Sequence, residues 1–441
     1  MNTNMARAIY QAAARLRSEN TFEYLKEYQR TQWLSPNDLR QYQHSHLESL
    51  LAYAREYIPF YHFAKKLIDC PVITREMIKK NPGQFKSTLS SGRTTAKSTS
   101  GSTSEPITVY KDEEAMAREQ AITFRSYGWA GVRPGMRQIR FWGIALKNHG
   151  GAGIWIKDVL LNRIRLSAFS YTPEVLHNYA RRIKRAGRCY FYGYASAIFE
   201  FALFAKAHGY TFKNVQAIIT TAELLTPHRR EVIEESLQVP VFDEYGCAEV
   251  GTIGHQDDCG TMFINAENMI VEVLGDDGKI SPEGEGTLLV TELHNRLQPL
   301  IRYNLGDIGI VRLYKQGSAR GLPVLEKVHG RVRDVLIGPN GKRYNSAFIS
   351  YIFKDVQKHG EHIRQYQAVQ DGQRLIFRIV KGNGYRQEME RHIAKLVSDE
   401  FGGYFECAFE YPSSIQRDRS GKMRQLIRMG IPDQGSDTAM S

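Results

Sequence analysis

Val215-Gln216-Ala217-Ile218-Ile219-Thr220 is a short apolar run of strand length, and its recurrence settles the fold class. Similar runs are Gln138-Ile139-Arg140-Phe141-Trp142 upstream and Val239-Pro240-Val241-Phe242 downstream, with helical segments between them. Strands alternating with helices predict an α/β sheet covered by helices, with ligands gathering where loops converge at strand ends. Upstream, residues 5–66 place Ile9, Ala12, Ala13 and Leu16 at helical spacing and read as a helical entry to the first domain. Downstream, residues 276–313 are β-rich, with Gly284-Glu285-Gly286 ahead of the strand Thr287-Leu288-Leu289-Val290-Thr291, and residues 315–321 are turn-rich.

A chain of 441 residues exceeds what one hydrophobic core usually supports. The expected organisation is a large N-terminal multi-sheet α/β domain over residues 1–329 and a smaller, mobile α+β C-terminal domain over residues 330–431. A disordered tail is expected over 432–441. The boundary rests on Gly330, which opens a polar junction before the fresh apolar run Val335-Leu336-Ile337. Beyond it, Tyr366-Gln367-Ala368-Val369 and Leu375-Ile376-Phe377-Arg378-Ile379-Val380 read as strands joined at Asp371-Gly372. A helix over 387–400 follows, with Ile393, Leu396 and Val397 on one face.

The 42% hydrophobic and 24% charged content is that of a globular protein. A net charge of +12 favours anionic ligands in general without choosing among nucleotides, coenzyme A, nucleic acid and anionic membranes. Its basic residues are dispersed, the one compact cluster being Arg181-Arg182-Ile183-Lys184-Arg185, so nucleic acid is a minor alternative. Five scattered cysteines make no disulfide framework. No run approaches a membrane span and the N-terminus has no signal-like apolar core, so a cytoplasmic location is expected.

Ser98-Thr99-Ser100-Gly101-Ser102-Thr103, running on to Pro106, is almost wholly Ser and Thr around one glycine. Hydroxyls and exposed amides at this spacing suit phosphate oxygens, although a surface loop without a ligand would look the same. The Gly-Lys-Ser/Thr ending of a Walker A loop is missing. Far downstream, Ser420-Gly421-Lys422 offers an ammonium that could neutralise charge developing on phosphate.

With Thr221-Ala222-Glu223, Tyr245-Gly246-Cys247-Ala248-Glu249, Arg302-Tyr303-Asn304-Leu305-Gly306-Asp307 and Gly330-Arg331-Val332-Arg333-Asp334, these segments resemble, in order, the motifs of the adenylate-forming (acyl-CoA synthetase) superfamily. Within it the chain is most similar to the phenylacetate-CoA ligase and CapK-like branch. The branch rests on its short length, Tyr192-Gly193-Tyr194-Ala195-Ser196, Ile301-Arg302-Tyr303 and the strand around Gln365 to Gln370. The resemblance spans nearly the whole chain.

It implies an ATP-dependent carboxylate ligase that forms an acyl-adenylate and then an acyl-CoA thioester. ATP, Mg²⁺ and coenzyme A are the implied partners, with a small-molecule carboxylate as substrate. Ser98 to Thr103 would hold phosphates, while Ala222, Glu223, Tyr245, Gly246, Asp307 and Arg331 complete the nucleotide site. Tyr245 would stack on adenine and Asp307 would take the ribose hydroxyls. Glu249 would hold Mg²⁺, Lys422 would act in adenylation, and Arg333 would occupy the hinge. Trp142, Tyr192 and Tyr194 are candidates for the acyl pocket, near the meeting of the two domains, or equally for core packing.

Ala248 stands where many relatives carry a hydroxyl residue, Asn304-Leu305 where they carry Arg-Thr, Ser104 where they carry Gly and Ile107 where they carry Lys. These departures motivate a second reading, a nucleotide-binding scaffold with impaired turnover. A third is a CapK-like ligase that passes the acyl group to an amine or a sugar in polysaccharide synthesis. Cys247, His255 and Cys259 are zinc-type ligands, but Phe263 stands where a fourth would be expected, and the balance favours no zinc.

Overall fold

The computed structural model describes residues 1–16, 19–89, 92–98, 107–142, 156, 158–168, 172–331, 335–339, 343–345, 349, 352–353, 356, 362–416 and 423–429, without the side chains of 98, 330, 331, 335 and 343–345. Two compact units are present, one built from residues 1–225, 229–305 and 309–328, the other from residues 226–228, 306–308 and 329–441.

Helical entry is observed as Thr3–Leu16, Thr21–Thr31 and Pro36–Tyr57. The third starts as its sequence dictates, with Pro36 in the first turn and the Ser35 hydroxyl accepting the Asp38 amide at 3.2 Å. Helix Glu113–Trp129 is capped likewise, Asp112 Oδ1 accepting the Ala115 amide at 2.8 Å.

A twelve-stranded sheet forms the body of the large unit. Its parallel half runs, neighbour to neighbour, through Arg163–Ser167, Arg137–Trp142, Cys189–Tyr194, Val215–Thr221 and Val241–Cys247. At Gly251–Gln256 the sheet turns antiparallel and continues through Met262–Ile264, Val324–Arg331, Tyr303–Arg312, Gly284–Glu292, Met269–Leu274 and Ile280–Ser281. The β-rich stretch after Asp276 is thus continuous with the α/β half.

Alternation along the parallel strands separates two faces. Ile139, Phe141, Leu166, Phe191 and Ile218 are buried in one core cluster with Leu176, Ile183, Ile198, Phe201 and Ile233 from the connecting helices. The opposite face carries Gln138 and Arg140 beside Tyr190 and Tyr192, with Tyr127 of helix Glu113–Trp129 packed on its apolar part, while Tyr194 and Trp142 at the strand ends pack on the first cluster. Hydrophobic crossovers therefore claim one face and leave polar and aromatic groups on the other.

The small unit is α+β. Its sheet runs Glu406–Glu410, Arg374–Lys381, Ile363–Asp371, Leu426–Arg428. The central hairpin turns at Gly372, whose φ of +56° suits glycine, and the helix Glu388–Phe401 ends at Gly402 with φ +59°. Ile393 and Val397 are buried with Phe377 and Ile379, matching the helix face expected from sequence. Among the described residues no helix is long and apolar enough to cross a membrane.

Candidate active site

The carboxyl ends of the parallel strands bring together segments far apart in sequence. Register pairs Tyr194 with Thr221 and Thr221 with Glu244, so Tyr194, the Thr221-Ala222-Glu223 turn and Tyr245 follow one another across the sheet edge. Ala222 sits at φ +65°, a left-handed conformation that costs a non-glycine residue roughly 1 kcal/mol and that re-aims the chain leaving the strand. Glu223 is fixed there by its carboxylate, which accepts the Ser196 amide at 2.8 Å and the Ser196 hydroxyl at 3.0 Å at the start of helix Ala195–Ala207. Sequence reading placed Ala222 and Glu223 on the nucleotide; in this structure Glu223 also anchors a helix N-terminus.

Tyr245 is half-buried and packs against the core cluster of the antiparallel half. Behind it a register shift separates Tyr245 from Gly246, and a β-carbon on Gly246 would lie 2.4 Å from the Gly251 carbonyl oxygen. Only glycine allows that approach.

Glu249 is 3% exposed rather than a surface acid. Its Oε1 accepts from Arg75 Nη2 at 2.8 Å and from the Tyr303 hydroxyl at 3.0 Å. Burial opposes the Arg75 charge, but Glu249 and Tyr303 outweigh it and the guanidinium pKa ends above its ordinary value. Sequence reading singled out neither partner for this role, because Arg75 lies 174 positions away in the chain.

Residues 99–106, which include Thr99, Ser100, Gly101, Ser102 and Thr103, lie outside the described residues, but their flanks are informative. Thr95–Ser98 and Thr108–Lys111 pair antiparallel, from Thr95 opposite Lys111 to Ser98 opposite Thr108. The expected phosphate segment therefore joins the two strands of a hairpin stem. Lys97 and Lys111, one on each strand, both donate to Glu119, and buried Lys111 also donates to Glu292. Burial pushes the Glu119 carboxyl up, yet Lys111 and Lys97 reverse this and hold it at about 2.

The three aromatic candidates assemble. Trp142 stacks on Tyr192 with centroids 5.8 Å apart and planes 12° from parallel, and lies 4.6 Å from Tyr194. Trp142 and Tyr192 are half-buried while Tyr194 is buried. Tyr192 donates to Glu244 Oε1 at 3.0 Å and Thr252 donates to its Oε2 at 3.3 Å. Burial raises the Glu244 carboxyl despite these donors. Neighbouring Asp243, bonded by the Thr220 hydroxyl at 2.8 Å, is pushed by burial to about 7.

Asp307 is half-buried on strand Tyr303–Arg312. Arg331 is described by backbone alone, at the end of strand Val324–Arg331. Lys422 and Arg333 lie outside the described residues.

The suggested zinc set is not brought together. Antiparallel register places Cys247 opposite Gly251 and His255 opposite Glu244, several residues apart along the hairpin. His255 is fully buried against Tyr127 and Trp129, its Nδ1 is 2.7 Å from the Gln256 carbonyl, and burial lowers its pKa to about 4. Cys259 is exposed beside Asp257, whose carboxylate accepts the Cys259 and Thr261 amides and the Arg320 guanidinium. Those residues do not fit a zinc centre.

Residues 336–429 match the CapK C-terminal domain family. The chain is 22% identical to protein CapK of Staphylococcus aureus, over 89% of each chain. It is 23% identical to phenylacetate-coenzyme A ligase of Thermus thermophilus, over 88% of this chain and 96% of that one. Among solved structures it superposes on 2-hydroxyisobutyryl-CoA ligase bound to R3-HIB-AMP with a TM-score of 0.69, 17% identity and 88% of each chain covered. Against anthranilate CoA ligase bound to anthranoyl-AMP the TM-score is 0.53, over 75% of this chain and 64% of that one, at 13% identity. The fold is that seen in 2-hydroxyisobutyryl-CoA ligase and anthranilate CoA ligase, relatives in sequence include CapK and phenylacetate-coenzyme A ligase, and residues 336–429 match the CapK C-terminal domain.

Proposed function

We propose that the protein is an ATP-dependent, AMP-forming acid–thiol ligase. A carboxylate oxygen attacks the α-phosphorus of ATP, the bond to pyrophosphate breaks, and an acyl-adenylate forms. The thiolate of coenzyme A then attacks the acyl carbonyl and expels AMP. The observation that carries this reading is the register that sets Thr221-Ala222-Glu223 beside Glu244 and Tyr245 at the carboxyl edge of the parallel strands, where an α/β sheet binds its ligands.

Tyr245 offers a ring face to adenine and Asp307 a carboxylate to the ribose hydroxyls. Residues 98–103, which follow a strand fastened through Lys97 to Glu119, would take the phosphates. Lys422 stabilises the charge that spreads over the nonbridging oxygens during adenylation. Arg331 would contribute to the nucleotide site and Arg333 would take the hinge role that the resemblance implies.

Glu249 would be the residue to hold Mg²⁺, a hard cation that prefers carboxylate oxygens. When bound, the cation neutralises phosphate charge.

A second reading keeps the adenylation step and gives the acyl group to an amine or a sugar hydroxyl, as in polysaccharide synthesis. The CapK C-terminal domain favours it, as does 29% identity over 26% of the chain to indoleacetate–lysine synthetase of Pseudomonas savastanoi. A cytoplasmic location suits either reading.

Carboxylate-dependent release of pyrophosphate and AMP, screened over a panel of acids with the wild type and Lys422→Ala, tests the shared step. Release by the wild type and its loss in the variant are expected; equal rates would overturn the role of Lys422. Thioester formation on adding coenzyme A separates the two readings.

A further inference from the structure

On the polar face of the parallel strands three guanidiniums lie close together. Arg163 pairs in register with Gln138 and Arg165 with Arg140, on neighbouring strands. Arg165 is neutralised by Asp158, through bonds of 2.6 and 3.1 Å. Arg140 and Arg163 have no carboxylate partner among the described residues. Arg140 lies over two rings, 4.3 Å from the centroid of Trp142 and 5.1 Å from that of Tyr192, and its buried Nε has no hydrogen-bond partner. Burial and the charge of Arg140 both push Arg163 towards losing its proton. Of the acids nearby among the described residues, Asp158 is taken by Arg165 and Glu244 already accepts from Tyr192 and Thr252.

Two half-buried, like-charged groups side by side are costly unless an anion joins them. Stacking fixes the plane of Arg140 and leaves its buried Nε–H without a partner, a donor that a carboxylate could take. Arg140 lies two residues inward from Trp142, roughly 7 Å along the strand.

The geometry points to a second anion position on the acyl-binding face, where Arg140 and Arg163 hold a carboxylate carried by the acid at the end remote from its reacting carboxyl. The substrate is then a dicarboxylic acid. This deepens the ligase reading and rests on it for the identity of the acyl face.

The test is ATP–pyrophosphate exchange by the full-length protein, without coenzyme A or amine, using terephthalate against 4-methylbenzoate and adipate against hexanoate. Calorimetric binding of the same acids runs alongside. The wild type should prefer each diacid by tenfold or more, chiefly through KM. Arg140→Gln and Arg163→Gln should each reduce that ratio at least tenfold, with Arg140→Lys recovering part of it; melting temperatures identify any variant that does not fold. No diacid preference in the wild type, or a preference that survives both glutamine variants, overturns the inference. Exchange with monoacids alone does so while leaving the ligase reading intact. Arginine-dependent diacid binding without exchange upholds the anion position and sinks the ligase reading. A carboxylate effect seen only when an amino-acid acceptor is added assigns the arginines to the acceptor and also overturns the inference.

Discussion

Arg75 Nη2 stands 2.8 Å from Glu249 Oε1, an ion pair that ties the short helix Arg75–Lys80 to the segment just after strand Val241–Cys247. The side chain of Glu249 is 4% exposed and that of Arg75 is 27% exposed, so the pair is largely shielded from water. Arg75→Met leaves a buried carboxylate with Tyr303 as its remaining donor of the pair. The expected cost is about 1–3 kcal/mol in denaturant unfolding, with about a tenfold loss of pyrophosphate release. Unchanged activity would show that the orientation of Glu249 does not matter to the reaction.

At Ala222 and Gly246 the backbone asks for opposite changes. Ala222→Gly relieves a left-handed conformation and should raise stability by up to about 1 kcal/mol, whereas Ala222→Val should lower it by about 1–2 kcal/mol. Gly246→Ala drives a methyl group into the Gly251 carbonyl and should cost about 1–3 kcal/mol. Because Tyr245 is the adjoining residue, the KM for ATP should rise in the same variant.

Lys111, 1% exposed along its side chain, bridges the carboxylates of Glu119 and Glu292. Lys111→Met takes the ammonium from Glu292 and leaves Glu119 with Lys97 alone, and should cost about 3–5 kcal/mol in urea unfolding at neutral pH. Glu119 itself has a folded pKa depressed from 4.5 to about 2, so its contribution is present above 4.5 and is lost as pH falls towards 2. Glu119→Gln should flatten that acid limb.

Asp243 has the opposite sign. Its folded pKa, about 7 against an ordinary 3.8, favours the neutral carboxyl in the folded state. That contribution is full below 3.8 and declines as pH rises through 7, by at most about 4 kcal/mol. Asp243→Asn should therefore remove a downward slope in stability between pH 4 and 7; an unaltered slope would assign it to other groups.

Strands built on apolar runs were legible, as were the hairpin at Asp371-Gly372 and the buried face of helix Glu388–Phe401, because each follows a local period. Strand Arg163–Ser167 escaped, since its alternating arginines look solvated until the neighbouring strand is in place. The cysteines and His255 looked close in sequence, but a β-hairpin separates residues along its length, and register overruled proximity. The surroundings of Glu249 depended on Arg75 and Tyr303, contacts of long sequence separation that no local pattern encodes.

The stem formed by Thr95–Ser98 and Thr108–Lys111 carries a practical consequence. Since Lys97 and Lys111 rivet both of its strands to one carboxylate on helix Glu113–Trp129, the ends of the stem are held independently of the sequence between Ser98 and Thr108. Grafting a tip of different length and hydroxyl content there should retune how tightly triphosphate is gripped while the melting profile of the large unit stays as it was.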